Sequence, residues 1–480
     1  MEYNCQTLLL GLDSFNPEFL QLLPNFKKKL KSLGEENQIN FYEDLFIRGW
    51  SKILSGGTSE KETLAYNRPL LDQSYNRTSS VNLKSYGQKS IIDYASELNK
   101  GIGLFSFPTI SKYKGEIKGY LFGAPGGGLD PSGPIEPSSV FPEEQIKNIH
   151  KSYWEIRCSA LEISSEKEFF KILTIDLEES IDSFLKMIKQ SDKQNETRAF
   201  DGIMLRCFDT VCGQFYSNIE NHLRNHNQLP EELNMFLKKL DHSLSNLIEI
   251  IRPQTVIITT DHGVTKFRGQ YNFNSLLKEL GYQKKAINGK RNFLFRMVSQ
   301  FKLMKKPIMK IKTIFFPKKT FSGKLGFDGS SSQAFAYRYI PGIYLNDSRF
   351  DGLIKDVDKQ NFKEELIQKI NDKRLGIEAM DISEKFNLTE IPIEYPDIWL
   401  NLPDGFYPEN TGSKFLECFN RTDQNYKIDQ WQSTKKNSAL FWSFSSDSVL
   451  NETISNMILS NPQPDLKFVN KILMKLIDER

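Results

Sequence analysis

The chain has 480 residues, enough for a large buried core, and its 63 Lys and Arg against 60 Asp and Glu leave a net charge of +3, which gives no general attraction to nucleic acid. Its five cysteines show no CxxC pair and no framework spacing, so they read as reduced thiols, and no run approaches the roughly 18 apolar residues of a membrane span. The first apolar run has no basic segment before it and no cleavage site after it, so the expected compartment is the cytoplasm.

In chain order, Gln6 to Leu12 reads as a first core strand that ends in Gly11-Leu12-Asp13-Ser14. Pro17 to Leu33 follows as a helix, with Phe19, Leu20, Leu23, Phe26 and Leu30 at helical spacing. Trp50 to Gly57 is a helix start closed by glycines, and residues 58 to 87 are polar enough to be a long surface loop. Ser90 to Leu98 reads as a helix and Gly101 to Phe107 as a strand. Residues 115 to 142 are rich in Gly and Pro. They contain Ala124-Pro125-Gly126-Gly127-Gly128 but no P-loop Lys-Ser/Thr, and are read as an irregular loop.

Lys167 to Ser191 carries helical periodicity, Gly202 to Phe208 reads as a strand running into Asp209, and 211 to 251 is a long helical region. Val256 to Thr260 is the most strand-like run of the chain, and it ends in Asp261-His262-Gly263. The carboxyl end of a buried parallel strand is where an open α/β sheet places its chemistry. Asp beside His there can offer an oxygen and a nitrogen to one metal; the alternative is a plain strand-to-loop turn.

Residues 283 to 325 are strongly basic, with Lys302, Lys305, Lys306, Lys310, Lys312, Lys318 and Lys319 set among apolar residues. This segment is an inserted cap that could meet an anionic substrate or a membrane surface, or simply a solvated basic face. Beyond it, 328 to 351 reads as strands and turns, Phe362 to Lys369 as a helix, Tyr395 to Leu400 and Ala439 to Phe444 as strands, and Asn470 to Ile477 as a closing helix. Strands alternate with helices throughout. The expected fold is therefore a doubly wound, mostly parallel α/β sheet, built from residues 1–282 and 326–480 with inserted cap segments.

Three Asp residues at strand ends, an Asp-His-Gly, the run Gly49-Trp50-Ser51-Lys52-Ile53-Leu54-Ser55-Gly56, Phe141-Pro142-Glu143-Glu144 and the block from Ala334 to Gly352 occur in one order. In that order they resemble the alkaline phosphatase superfamily, and within it the type I phosphodiesterase/nucleotide pyrophosphatase-like branch. The resemblance implies the alkaline phosphatase fold and a metal-assisted attack on phosphorus by a Ser or Thr at a helix start. It places one ion on Asp13, Asp261 and His262. A second ion keeps Asp209, but its histidine positions fall on Gly213 and Thr434. The nucleophile position falls on Phe46, which has no nucleophilic atom; Ser51 and Ser14 are the available substitutes.

A count of histidines gives the same answer without an alignment. There are five, none after His262; His222 and His226 share a helix face about 20 Å beyond Asp209 and suit a solvated face better than a ligand pair. The resemblance thus implies a divergent phosphoesterase using a divalent metal of the zinc type, one ion rather than two, on a phosphate ester or other anionic small molecule. Its alternative is a catalytically inactive relative that binds an anionic ligand or a protein partner. Lys435, Lys436 and Arg48 are candidate anion contacts.

Overall fold

The apolar runs form one large sheet with both faces covered. The computed structural model describes residues 3–42, 49–55, 67–69, 78–80, 89–108, 110, 117–124, 139–150, 163, 165–194, 196–284, 327–337, 340–388, 391, 393–409, 414–419, 431–461 and 463–479. Phe46, Arg48, the polar loop at 58–66, 70–77 and 81–87, the glycine-rich segment from 125 to 138 and the basic segment from 285 to 326 lie outside the described residues.

The sheet strands are β1 (Thr7–Leu12), β2 (Glu35–Phe41), β3 (Gly101–Pro108), β4 (Lys118–Ala124), β5 (Val140–Phe141), β6 (Arg198–Leu205) and β7 (Thr255–Thr260). Next come β8 (Gly263–Lys266), β9 (Ala334–Phe335), β10 (Gly342–Leu345), β11 (Glu378–Asp381), β12 (Ile398–Asn401), β13 (Ser433–Lys436) and β14 (Ala439–Ser445). The main sheet runs β2-β14-β7-β1-β6-β3-β4-β5. Strands β7, β1, β6, β3 and β4 are mutually parallel, and β2, β14 and β5 add antiparallel pairings at the two sides. The expected doubly wound, mostly parallel α/β architecture is therefore the observed one.

The packed helices are α1 (Pro24–Lys31), α2 (Gly49–Ser55), α3 (Ile91–Glu97), α4 (Glu166–Lys193), α5 (Cys207–Asn225), α6 (Glu231–Ile251), α7 (Lys359–Asp372) and α8 (Lys467–Glu479). Strand periodicity assigns the faces. Leu8, Leu10 and Leu12 pack with α1, α4, α5 and α6, whereas Leu9 packs with α2, α3 and α8. A smaller antiparallel sheet, β9-β10-β12-β11, carries its own core with α7. Among the described residues no helix is long and apolar enough to cross a membrane.

Three boundaries differ from the sequence reading. The stretch from Pro17 to Leu33 is a 3-10 turn, Pro17–Leu22, followed by α1, because Pro24 cannot donate and restricts Leu23 before it. The strand expected from 202 to 208 ends at Leu205, so Asp209 lies in the first turn of α5 rather than just past a strand. The helical region from 211 to 251 is two helices. Its break is His226, in the left-handed conformation with φ 56°, followed by Pro230 as the cap of α6.

The smaller sheet is tied down by ions rather than by apolar contact alone. Arg349 Nε donates to Asp347 Oδ1 at 2.9 Å and its Nη2 to Asp397 Oδ2 at 2.5 Å, while Lys359 Nζ reaches Asp347 Oδ2 at 2.7 Å and Asp397 Oδ1 at 2.9 Å. Burial works to raise the Asp347 carboxyl, but the hydrogen bonds from Arg349 and Lys359 outweigh it and hold the group below the usual carboxylate range. A carboxyl depressed in the folded state adds stability above its unfolded pKa of about 3.9, and that stability is lost as pH falls through the folded value. Asp347→Asn is therefore expected to cost about 3 kcal/mol at pH 7, with the gap to the native chain narrowing below about pH 4. Urea unfolding at both pH values measures this, and a gap that does not change with pH would contradict it.

Candidate metal centre

The parallel pairing of β1 with β6 and β7 sets three strand ends side by side, with Leu12 opposite Leu205 and Gly11 opposite Thr259. Asp13 leaves the middle strand, Asp261 leaves β7, and β6 passes through Arg206 into the helix turn that carries Asp209. The loops are then locked to each other. Asp13 N donates to Leu205 O at 3.1 Å. Asn16 acts as a clamp: its Nδ2 donates to Val264 O at 2.9 Å and its Oδ1 accepts from Val264 N at 3.0 Å. Position 263 must be glycine for this, since a Cβ there would sit 2.7 Å from Asn16 Oδ1. Ser14 holds a left-handed backbone, φ 61°, and its Oγ donates to Asp209 Oδ1 at 2.8 Å.

These locks converge four side chains. His262 Nε2 lies 3.6 Å from Asp13 Oδ1 and 3.5 Å from Asp261 Oδ2. Asp13, Asp209 and His262 each present a ligand atom within 4.8 Å of the others. His262 Nδ1 is 2.8 Å from Gly263 O, and since a carbonyl can only accept, Nδ1 carries the hydrogen and Nε2 a lone pair. That lone pair faces carboxylate oxygens. Asp13 Oδ1 and Asp261 Oδ1 are buried and, among the described residues, accept no hydrogen bond. Buried lone pairs turned towards one another are costly unless a proton or a cation sits between them. Carboxylate oxygens with one imidazole nitrogen form a donor set that suits a divalent ion such as zinc. The residues present therefore fit a metal, with Asp13 central to the group.

The local charges agree with that reading. Burial pushes the His262 imidazole down, to about 3, with Lys435 adding to the effect. Burial, then the Asp13 charge, raises Asp261 well above the ordinary carboxylate range and raises Asp209 as well. Asp13 goes the other way. Burial opposes its ionisation, but His262 in its protonated form, Arg206 and Lys435 outweigh it. With the imidazole neutral near pH 7, Arg206, whose Nε is 3.5 Å from Asp13 Oδ2, and Lys435 are the cations that keep Asp13 charged.

The remaining candidates divide. Ser14 is fully buried and bound to Asp209, so it holds that carboxylate in place; Ser51 is fully buried in α2. That helix abuts the centre, because a Cβ on Gly49 would lie 2.1 Å from Asp261 O. His222 Nδ1 pairs with Asn227 O at 2.7 Å, His226 caps α5, and His150 pairs with Asp182 at 2.6 Å, so none of these joins the group. Thr434 is buried opposite Thr265 in the β8–β13 pair. From that strand it is the next residue, Lys435, whose charge reaches Asp13, Asp209, Asp261 and His262. Asn16 and Arg206 were missed in the sequence, where neither stands in a recognisable pattern.

Gly213 is packed flush. A Cβ there would fall 2.2 Å from the Trp431 indole. The next residue, Gln432, anchors the segment: its N donates to Gly213 O at 2.7 Å, and its Oε1 accepts from Ser217 N at 3.1 Å. That second bond satisfies a donor freed where α5 kinks at Phe215 (φ −128°, ψ 17°). An indole thus covers the position at which the resemblance would have placed a histidine.

The sequence matches no protein-family model and no curated protein. Solved structures do match. Phosphonoacetate hydrolase from Sinorhizobium meliloti 1021, in complex with phosphonoformate, aligns with a TM-score of 0.51 and 12% identity over 99% of this chain and 96% of that one. Wild-type alkaline phosphatase PafA aligns with a TM-score of 0.50 and 10% identity over 92% of this chain and 91% of that one. At such identities the likeness establishes the fold, an α/β architecture of alkaline phosphatase type.

Alanine in place of glycine inside a helix ordinarily gains about 0.5–1 kcal/mol. At Gly213 the sign should reverse, with Gly213→Ala losing about 1–2 kcal/mol through the clash with Trp431. In a Trp431→Ala background the same change should become stabilising. Urea unfolding of the four chains measures the coupling, and a stabilising Gly213→Ala in the native background would contradict the packing.

Proposed function

We propose that this chain is a divergent metal-dependent phosphoesterase that works with one divalent ion held by Asp13, Asp261 and His262, with Asp209 alongside. The observation that supports it is the convergence of unpartnered buried carboxylate oxygens and the free Nε2 of His262 at the carboxyl edge of the sheet. When bound, the ion supplies positive charge that polarises a phosphoryl oxygen and acidifies nearby water. Ser14 keeps Asp209 aimed, the Asn16–Val264 clamp holds the first and third loops at fixed separation, and Arg206 faces the same carboxylates from the start of α5. Since Ser14 is committed to Asp209, hydrolysis by water without a covalent intermediate is the reaction the described residues support. The substrate class is a small phosphate ester or related anion. In the proposed division, residues 1–282 and 326–480 are the core that carries this site and 283–325 is a basic insertion or cap.

A second reading, a chain that binds an anion without turning it over, is favoured by the indole against Gly213. The two separate on one preparation. Elemental mass spectrometry should find about one equivalent of zinc or manganese in the native chain and none in His262→Ala. The ion should also raise the melting temperature of the native chain alone. Release of nitrophenol from p-nitrophenyl phosphate or its bis-ester supports the enzyme; metal retention without release supports the binder. Absence of metal after supplementation would overturn the enzyme reading and leave the binder.

A further inference from the structure

Lys435 stands between the buried centre and the surface. Strand β13 pairs antiparallel with β8, which sets Lys435 opposite Val264, two residues beyond His262. Successive residues of a strand face opposite ways, so Thr434 and Lys436 share one face and Lys435 takes the other, the face of Val264. The register is fixed from both ends, by the Gln432 bonds to α5 and by Gly263 N donating to Ser438 O at 2.5 Å. Lys435 also lines a small surface cleft with Leu400, Leu402, Asp404, Phe406 and Asn437, so it is reached from outside the buried centre. Among the described residues its ammonium enters no ion pair, although its charge is felt by all four groups of the centre. Arg206, by contrast, is already turned to Asp13.

Charge counting shows what such a lysine is for. Asp13, Asp209 and Asp261 can carry three negative charges, and one divalent ion does not cancel them. A phosphoryl anion approaching that centre needs a further cation that is not already engaged by a carboxylate. We infer that Lys435 binds a non-bridging oxygen of the phosphoryl group, so that the substrate anion would be gripped between one metal ion and a fixed ammonium. This rests on the metal-dependent reading above. It makes Lys435 a binding residue of the site rather than an exposed charge.

The test is titration calorimetry of the full chain, first with zinc or manganese and then with inorganic phosphate, on the native chain, Lys435→Met and Lys435→Arg. Melting curves confirm that all three are folded. About one equivalent of metal should bind in each chain. Phosphate affinity should fall about tenfold to a hundredfold in Lys435→Met, the range expected for one lost charge-assisted hydrogen bond, and stay within a few-fold in Lys435→Arg. One equivalent of metal with phosphate affinity unchanged in Lys435→Met would overturn the role of Lys435 and leave the metal centre standing. Two equivalents in the native chain would also overturn it, since a second ion would supply the charge assigned to the lysine. Failure of the native chain to bind metal would overturn the underlying reading itself.

Discussion

Three carboxyl groups and an imidazole lone pair are pressed together at one buried edge, and nearly everything local to them opposes their repulsion. Two hydrogen bonds from Asn16 contribute about 1 kcal/mol each, less than the several kcal/mol by which an uncompensated buried carboxylate destabilises a fold. Ser14 adds to the cost, because a non-glycine residue in the left-handed region loses about 1 kcal/mol or more. The local clamps cannot hold the group by themselves. What holds it is the pairing of β1 with both neighbours and the packed helices on each face, which fix the strand ends whatever the charges prefer.

The opposite edge of the same sheet shows that the strain is local. There Arg198 is fully buried, yet its Nε donates to Asp201 Oδ1 and its Nη2 to Asp192 Oδ1, both at 2.7 Å. Tyr120 adds a third contact by donating to Asp201 Oδ1 at 2.8 Å. This carboxylate carries its counter-charge within the chain. The carboxylates at the other end have Arg206 at 3.5 Å and Lys435 beyond ion-pair reach, and they keep unshared oxygens. Asp201 Oδ2 also accepts no hydrogen bond among the described residues, so what separates the two ends is the closeness of the counter-charge and not a fully satisfied carboxylate.

Much of this was legible in the sequence because strand ends are marked by abrupt changes of character. Val256 to Thr260 ends in Asp261-His262, and Gln6 to Leu12 ends in Asp13; both residues sit where such a change predicts. Asp209 was found by its place in the chain, but its setting was misread. The turn at Arg206 is a single residue, and α5 begins where the apolar run had not yet ended. Pro24 split a helix whose periodicity ran straight through it. Asn16 and Arg206 could not be read at all. Their roles depend on which loop lies opposite, and that is decided by strand order, not by neighbours in sequence. Lys435 was visible as a charge, but only the register of β13 against β8 separates it from Thr434 and Lys436.

The order of strands in the sheet differs sharply from their order in the chain. Strand β14, near the C-terminal end, lies between β2 and β7, and β2 pairs with no other strand of that sheet. During synthesis, β1, β6 and β7 can assemble and bring Asp13, Asp209 and Asp261 together long before β14 exists. Until it arrives, the outer side of β7 and the whole of β2 are open edges with unpaired backbone groups, the kind of surface that recruits other chains. Contacts this distant in sequence also form slowly. The nascent chain therefore passes through a long interval in which its three carboxylates are present but both Lys435 and the sealing strand are still to come, and shielding by a chaperone matters most in that interval.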